Sequence, residues 1–168
     1  MDVAALLVEL FGRVPPLARL AVDGVDPARL TEQPGPDANP IAWLVWHLAR
    51  IQDSHVAEAF DTSQIWVTGD WAARFGLEPD PSNTGFGHTS EEVATIRPTT
   101  PDVLLDYLDA VHTRTVTMLA ALTPADLDRI VDQRWDPPVT LGVRLVSVAD
   151  DCLQHCGQAA YVRGLLGY

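Results

Sequence analysis

The sequence predicts an all-α fold, a four-helix bundle with a long crossover connection between its second and third helices. Four segments of helix length repeat apolar residues every three or four positions, and none shows the alternation of a half-buried strand. The second and third of these segments are separated by about forty residues of little apolar periodicity, a length that permits crossover winding rather than simple up-and-down topology. With 168 residues, 47% of them hydrophobic, the chain can bury one core, so residues 1–168 are expected to form a single domain.

The first helix is expected from Val3 to Leu20, where Leu6, Leu7, Leu10, Val14 and Leu17 share a face and Pro15-Pro16 kinks or interrupts it. From Asp23 to Pro40 the density of glycine and proline predicts a loop with at most one helical turn, and Asn39 is placed to cap the second helix. That helix, from about Pro40 to Phe60, carries apolar residues on nearly every side and is predicted to be largely buried. Between Asp61 and Thr100 only Trp71 to Phe75 suggests a short helix, before a turn-rich run from Pro79 through His88; a connection of this length inside a compact domain is more often functional than idle. Thr100-Pro101-Asp102 opens a third helix to about Leu122. Thr123-Pro124 then starts a brief turn through Leu127, Trp135 to Thr140 forms an extended arm or turn, and the fourth helix spans Leu141 to Leu165.

The formal charge of −12 argues against broad contact with nucleic acid or an anionic membrane surface, both of which need clustered cations. No uninterrupted apolar run is long enough to span a bilayer, and the N-terminus lacks a basic segment leading into a hydrophobic block; a soluble, cytoplasmic protein is expected. The two cysteines, Cys152 and Cys156, stand four apart on the fourth helix and are expected as buried free thiols. A redox pair is the alternative.

Asp151 and His155, also four apart, lie on one face of the fourth helix and can converge on one ion. His47 sits midway along the buried second helix. Together they offer two imidazoles and a carboxylate with coordination positions left open, a catalytic rather than a closed structural pattern. The competing reading is a core histidine with a satisfied hydrogen bond and a chance Asp-x-x-x-His spacing; on residues alone both stay open.

Asn39-Pro40-Ile41-Ala42-Trp43-Leu44-Val45-Trp46-His47-Leu48-Ala49-Arg50-Ile51-Gln52-Asp53 and Gln154-His155-Cys156-Gly157-Gln158-Ala159-Ala160-Tyr161-Val162-Arg163-Gly164 resemble the DinB-like superfamily. The resemblance extends to Thr84-Gly85-Phe86-Gly87-His88 and to Trp135 through Arg144, and looks closest to an actinobacterial branch of mycothiol transferases and uncharacterised proteins. The basic residues, all arginine, fit a GC-rich source of that kind. In the superfamily a divalent metal, commonly zinc or nickel, is held by one histidine of the second helix and a His-x-x-x-His pair of the fourth, positions matched here by His47, residue 151 and His155. Residue 151 is aspartate, a departure that implies either a site of two histidines and one carboxylate, suited to zinc, nickel, manganese or iron, or a decayed one.

The resemblance implies transfer of a low-molecular-weight thiol, mycothiol, to a small electrophile. Hydrolysis of a small molecule by the same metal, or a non-catalytic small-molecule-binding bundle, are the alternatives. A small-molecule substrate is the expected partner, and a homodimer is a further expectation from the family. Around the centre, His88 is a candidate acid, base or substrate contact, and Arg50 and Arg163 are candidates to bind carboxylates of a cofactor, against internal ion pairs as the alternative. His55 is expected near its helix end, His112 on the surface, Asp150 in solvent, and Trp43, Trp46, Trp66, Trp71 and Trp135 in the core or a pocket wall.

Overall fold

The computed structural model describes all residues, 1–168. Its helices are α1 (Val3–Phe11), α2 (Val14–Val22), α3 (Ile41–Ala59), α4 (Ile65–Thr68), α5 (Trp71–Arg74), α6 (Ser90–Val93), α7 (Pro101–Leu119) and α8 (Leu141–Leu165), with 3₁₀ turns at Pro27–Arg29 and Pro124–Asp128. The expected first helix is two: the chain breaks at Gly12-Arg13, and Pro15-Pro16 fall in the first turn of α2, where a missing N–H removes no helical bond. Asn39 does not cap α3; Pro40 holds the cap position and no side chain bonds the first turn. The expected absence of strands is corrected by a short antiparallel hairpin, β1 (Ile130–Asp132) with β2 (Val139–Thr140).

The helical directions follow from side-chain pairings. Tyr107 on α7 meets Arg50 and Asp53 on α3, and Arg114, two turns further along α7, reaches the Ser63 carbonyl beyond the end of α3, so the two helices run the same way. On α8, Cys152 lies against the Leu48 carbonyl, while Arg134, ahead of α8, meets Glu58 near the end of α3; α8 therefore opposes α3. Cys156 against Val14 and Arg163 against Ala21 make α2 parallel to α8. Parallel neighbours cannot be joined by a tight turn, which is why residues 60–100 cross the bundle between α3 and α7.

One apolar cluster of 39 buried residues joins α1, α2, α3, α7 and α8. Trp46 and Trp66 are wholly buried at its centre, edge to face with centroids 6.1 Å apart. Truncating either to alanine removes its dispersion contacts and leaves a cavity, a loss of about 3–5 kcal/mol. No helix is long and apolar enough to cross a membrane.

The crossover connection is pinned by α3. Arg50, with no solvent exposure, donates from Nε to the Asn83 carbonyl, from Nη1 to Asp53 and the Tyr107 hydroxyl, and from Nη2 to Gln64 and the Pro81 carbonyl. Its guanidinium lies 4.7 Å from the Trp66 ring centroid. Asp53 in turn accepts from the Ile65 and Trp66 backbone N–H groups and from Tyr107. A fork of five donors meets five acceptors, so a charge that would be costly to bury is compensated at every N–H.

Candidate metal centre

His47 lies on the most buried helix because residues 41–53 of α3 face neighbours on every side. Trp43, one turn earlier, stacks on its imidazole with centroids 4.5 Å apart. Asp151 and His155 project from α8 toward it, and the structure brings the three expected ligands together: one donor atom from each lies within 4.8 Å of the others. The Asp151 Oδ1 to His155 Nε2 distance is 3.6 Å, close to the about 3.5 Å that separates ligand atoms around a tetrahedral ion.

The hydrogen bonds fix which imidazole nitrogens face inward. His47 Nδ1 lies 2.5 Å from the Thr84 carbonyl, which can only accept, so Nδ1 carries the proton and Nε2 keeps its lone pair. His155 Nδ1 lies 2.7 Å from Gln158 Oε1, with the same consequence for its Nε2. Acceptors of this kind behind metal-binding histidines set tautomer and ring orientation and raise ligand basicity. Burial, opposed by the Thr84 bond and reinforced by His155 and His88, lowers the His47 pKa to about 4, so the ring is neutral and able to ligate at neutral pH.

Asp151 Oδ2 is buried with no hydrogen-bond partner, a costly condition for a carboxylate oxygen. Burial pushes the Asp151 carboxyl up, with Asp150 adding to the effect and His155 opposing it. A cation would satisfy this oxygen and oppose the upward shift. The donor set, the fixed tautomers and the orphaned oxygen therefore fit a divalent ion, with at least one coordination position left open.

Residues the sequence did not single out individually build the surroundings. Gly85, at φ +92, brings the crossover loop so close that a Cβ there would lie 2.8 Å from His47 Nδ1, 2.8 Å from Trp46 Cζ3 and 3.0 Å from Trp43 Cζ2. Only glycine supplies both the left-handed backbone and the space. Gln158 stands three residues after His155, a spacing that marks it as a neighbour on the helix surface. A cavity of about 590 Å³ borders Gln158, and a more polar one of about 510 Å³ borders Thr84.

The other expected site residues are placed differently. His88 accepts at Nδ1 from Trp43 Nε1 (3.2 Å) and donates from Nε2 to Asn83 Oδ1 (3.0 Å), while stacking on Trp46. With both nitrogens engaged it braces the loop against α3. Arg50, expected to bind a cofactor carboxylate, is the fully buried anchor described above. Arg163 donates from Nη1 to the carbonyls of Ala21 and Asp23 at the end of α2, the position where a cation complements a helix terminus.

Cys152 and Cys156 are free and buried, as expected, and burial pushes both thiols up, Cys156 to about 11. Asp150 is exposed and accepts from Gln154. His55 pairs with Glu58 near the end of α3. His112 is partly buried rather than on the surface, with Nδ1 unpartnered. Trp43, Trp46 and Trp66 are core residues, whereas Trp135 is exposed.

A family model described as the DinB superfamily matches residues 10–159. The crystal structure of a conserved protein from Enterococcus faecalis is 31% identical to the chain, with a TM-score of 0.92, over 100% of this chain and 99% of that one. No curated protein matches the chain.

Proposed function

The chain belongs to the DinB superfamily, and on that premise we propose that it is a metal-dependent transferase that activates a low-molecular-weight thiol, mycothiol, for attack on a small electrophile. The observation that carries the metal reading is the convergence of His47, Asp151 and His155 with the Asp151 oxygen left unpartnered. A divalent ion held there, zinc or nickel first among the candidates, supplies the Lewis acidity that lowers the pKa of a thiol toward neutrality.

The chain's own residues do the rest. Thr84 and Gln158 hold the two imidazoles in the tautomer that presents Nε2, and Trp43 keeps the His47 ring from turning. The Thr84-Gly85 segment packs against the Nδ1 side of His47 and so backs the ring from behind. Both cysteines are buried with raised pKa values, so neither supplies a thiolate, and a thiol reaction at this centre needs a thiol from outside the chain.

The test is to load the purified protein with zinc or nickel and incubate it with mycothiol and a panel of small electrophiles, monitoring the adduct by mass spectrometry. The proposal expects a thioether product that disappears in Asp151→Ala. Hydrolysed electrophile carrying solvent oxygen, formed without any thiol, would replace it with the hydrolase reading; absence of either product would overturn catalysis at this centre.

A further inference from the structure

We propose that the cavity between the connection preceding α3 and the C-terminal half of α8 binds an uncharged, largely apolar small molecule carrying a hydrogen-bond acceptor, beside the metal centre and separate from its ligand atoms. The apolar walls are Pro34 and Ala38 from the connection, Leu44 on α3, and Tyr161, Val162 and Leu165 on α8. At about 590 Å³ the cavity lies within the range of small-molecule sites.

Charge excludes most alternatives. The chain carries a formal charge of −12, yet none of the ten residues lining this cavity is charged. An ionised ligand would lose hydration there with no partner to replace it. The polar side-chain groups in the wall are all uncharged, the amides of Asn39, Gln154 and Gln158 and the Tyr161 hydroxyl, the sparse and directional kind that orients an apolar ligand.

Two of those amides are already committed at one end. Gln158 Oε1 accepts the His155 Nδ1 proton at 2.7 Å, which leaves its Nε2 to donate. Gln154 Nε2 donates to Asp150 at 2.7 Å, which leaves its Oε1 to accept. A carbonyl or ether oxygen on the ligand is the natural partner for Gln158 Nε2. That bond would place the polar end of the ligand against the residue that orients His155, with the apolar remainder along Leu44 and Leu165.

Gly157 gives the means to test it. It sits on the exposed side of α8, in the cavity wall, and a Cβ there would meet nothing within 4 Å. Gly157→Leu therefore fills the cavity without displacing any neighbour, and leucine is the better helix former. The experiment is a fluorescence titration of metal-loaded protein with the uncharged dye N-phenylnaphthylamine and with anilinonaphthalene sulfonate, the same skeleton bearing a negative charge.

The proposal expects one saturable site for the uncharged dye, binding of the sulfonate weaker by at least about tenfold, and a loss of at least about tenfold in Gly157→Leu. Leu165→Asp, which puts a charge in the wall of the cavity, should lower dye affinity similarly. Circular dichroism and metal content unchanged in both variants would show that the fold and the centre are intact. Equal dye binding by wild type and Gly157→Leu, equal affinity for the two dyes, or no saturable binding at all would overturn the proposal. Sedimentation showing that wild type is a dimer which Gly157→Leu dissociates would overturn it too, because the surface would then be a self-association face. Loss of metal binding in the wild type with dye binding retained would remove the metal reading and leave the cavity assignment standing.

Discussion

Replacing Gly85 by alanine tests the link between the crossover loop and the metal centre. The added Cβ would lie 2.8 Å from His47 Nδ1 and Trp46 Cζ3, below any normal carbon contact, and the residue would have to hold φ +92 with a side chain. The backbone contribution is about 1–2 kcal/mol and the overpacking contribution about 1–3 kcal/mol, so the variant should lose about 3 kcal/mol of stability. For a chain of this size that lowers the thermal midpoint by about 6–12 °C. Relief of the clash moves the loop outward and stretches the Thr84 to His47 bond from its 2.5 Å, which should weaken metal binding by about 10–100-fold. Gly87→Ala is the matched control: φ there is +76, but a Cβ meets nothing within 4 Å. It carries the backbone strain without the contact and should leave metal affinity unchanged. The assays are thermal unfolding and zinc competition against a chromophoric chelator. Gly85→Ala with wild-type zinc affinity, or both alanine variants losing affinity equally, would refute the idea that the loop orients His47.

Substitutions at three further positions probe other supports of the fold and the centre. Gln158→Leu removes the acceptor behind His155 from a solvent-exposed position and should lower zinc affinity by about 10–100-fold while shifting the thermal midpoint little; the same titration reads it. Arg50→Leu leaves Asp53 charged and buried and frees the crossover loop, so urea denaturation should show a loss of about 3–5 kcal/mol; Arg50→Lys, with three donors for five acceptors, should rescue only part of it. The Asp132 carboxylate, held by Arg134 and also by Arg144, is depressed well below the usual carboxylate range. Its contribution to stability is therefore complete above about pH 4 and is lost as pH falls below that value. In Arg134→Ala the carboxyl is less depressed, so the contribution should be smaller and its loss should finish at a higher pH, which an acid titration read by circular dichroism would detect.

Much of the bundle was legible because long helices advertise themselves. The fourth helix runs from Leu141 to Leu165 as its apolar spacing predicts, and the ends of α3 and α7 lie within a few residues of their punctuation. The split between α1 and α2 was signalled by Pro15-Pro16 but falls ahead of them, since proline is tolerated in a first helical turn. Helices α4 and α6 are four residues each, too short to display a period. The β1–β2 hairpin is likewise short, and Asp132 at its edge is held by charges on Arg134 and Arg144 that no local pattern reveals.

The site divides along the same line. Asp151 and His155 share a helix face by spacing alone, but their meeting with His47 required the antiparallel packing of α3 on α8. Arg50 offered two readings in sequence, and only the folded loop supplies the carbonyls of Pro81 and Asn83 that decide for the buried anchor. His88 drew attention as a histidine in a glycine-rich loop. A nearby glycine proved the more informative residue, because at Gly85 the backbone passes too close to His47 to admit a side chain.

The central claim is that His47, Asp151 and His155 form one metal site in which the carboxylate is a true ligand. Elemental analysis of wild type and Asp151→Ala, each loaded with zinc or nickel and passed over a desalting column, tests it most directly. One divalent ion per wild-type chain is expected, and little or none in the variant, with the helical circular dichroism of both alike. Wild type that retains no metal, or a variant that retains as much as wild type, would contradict it.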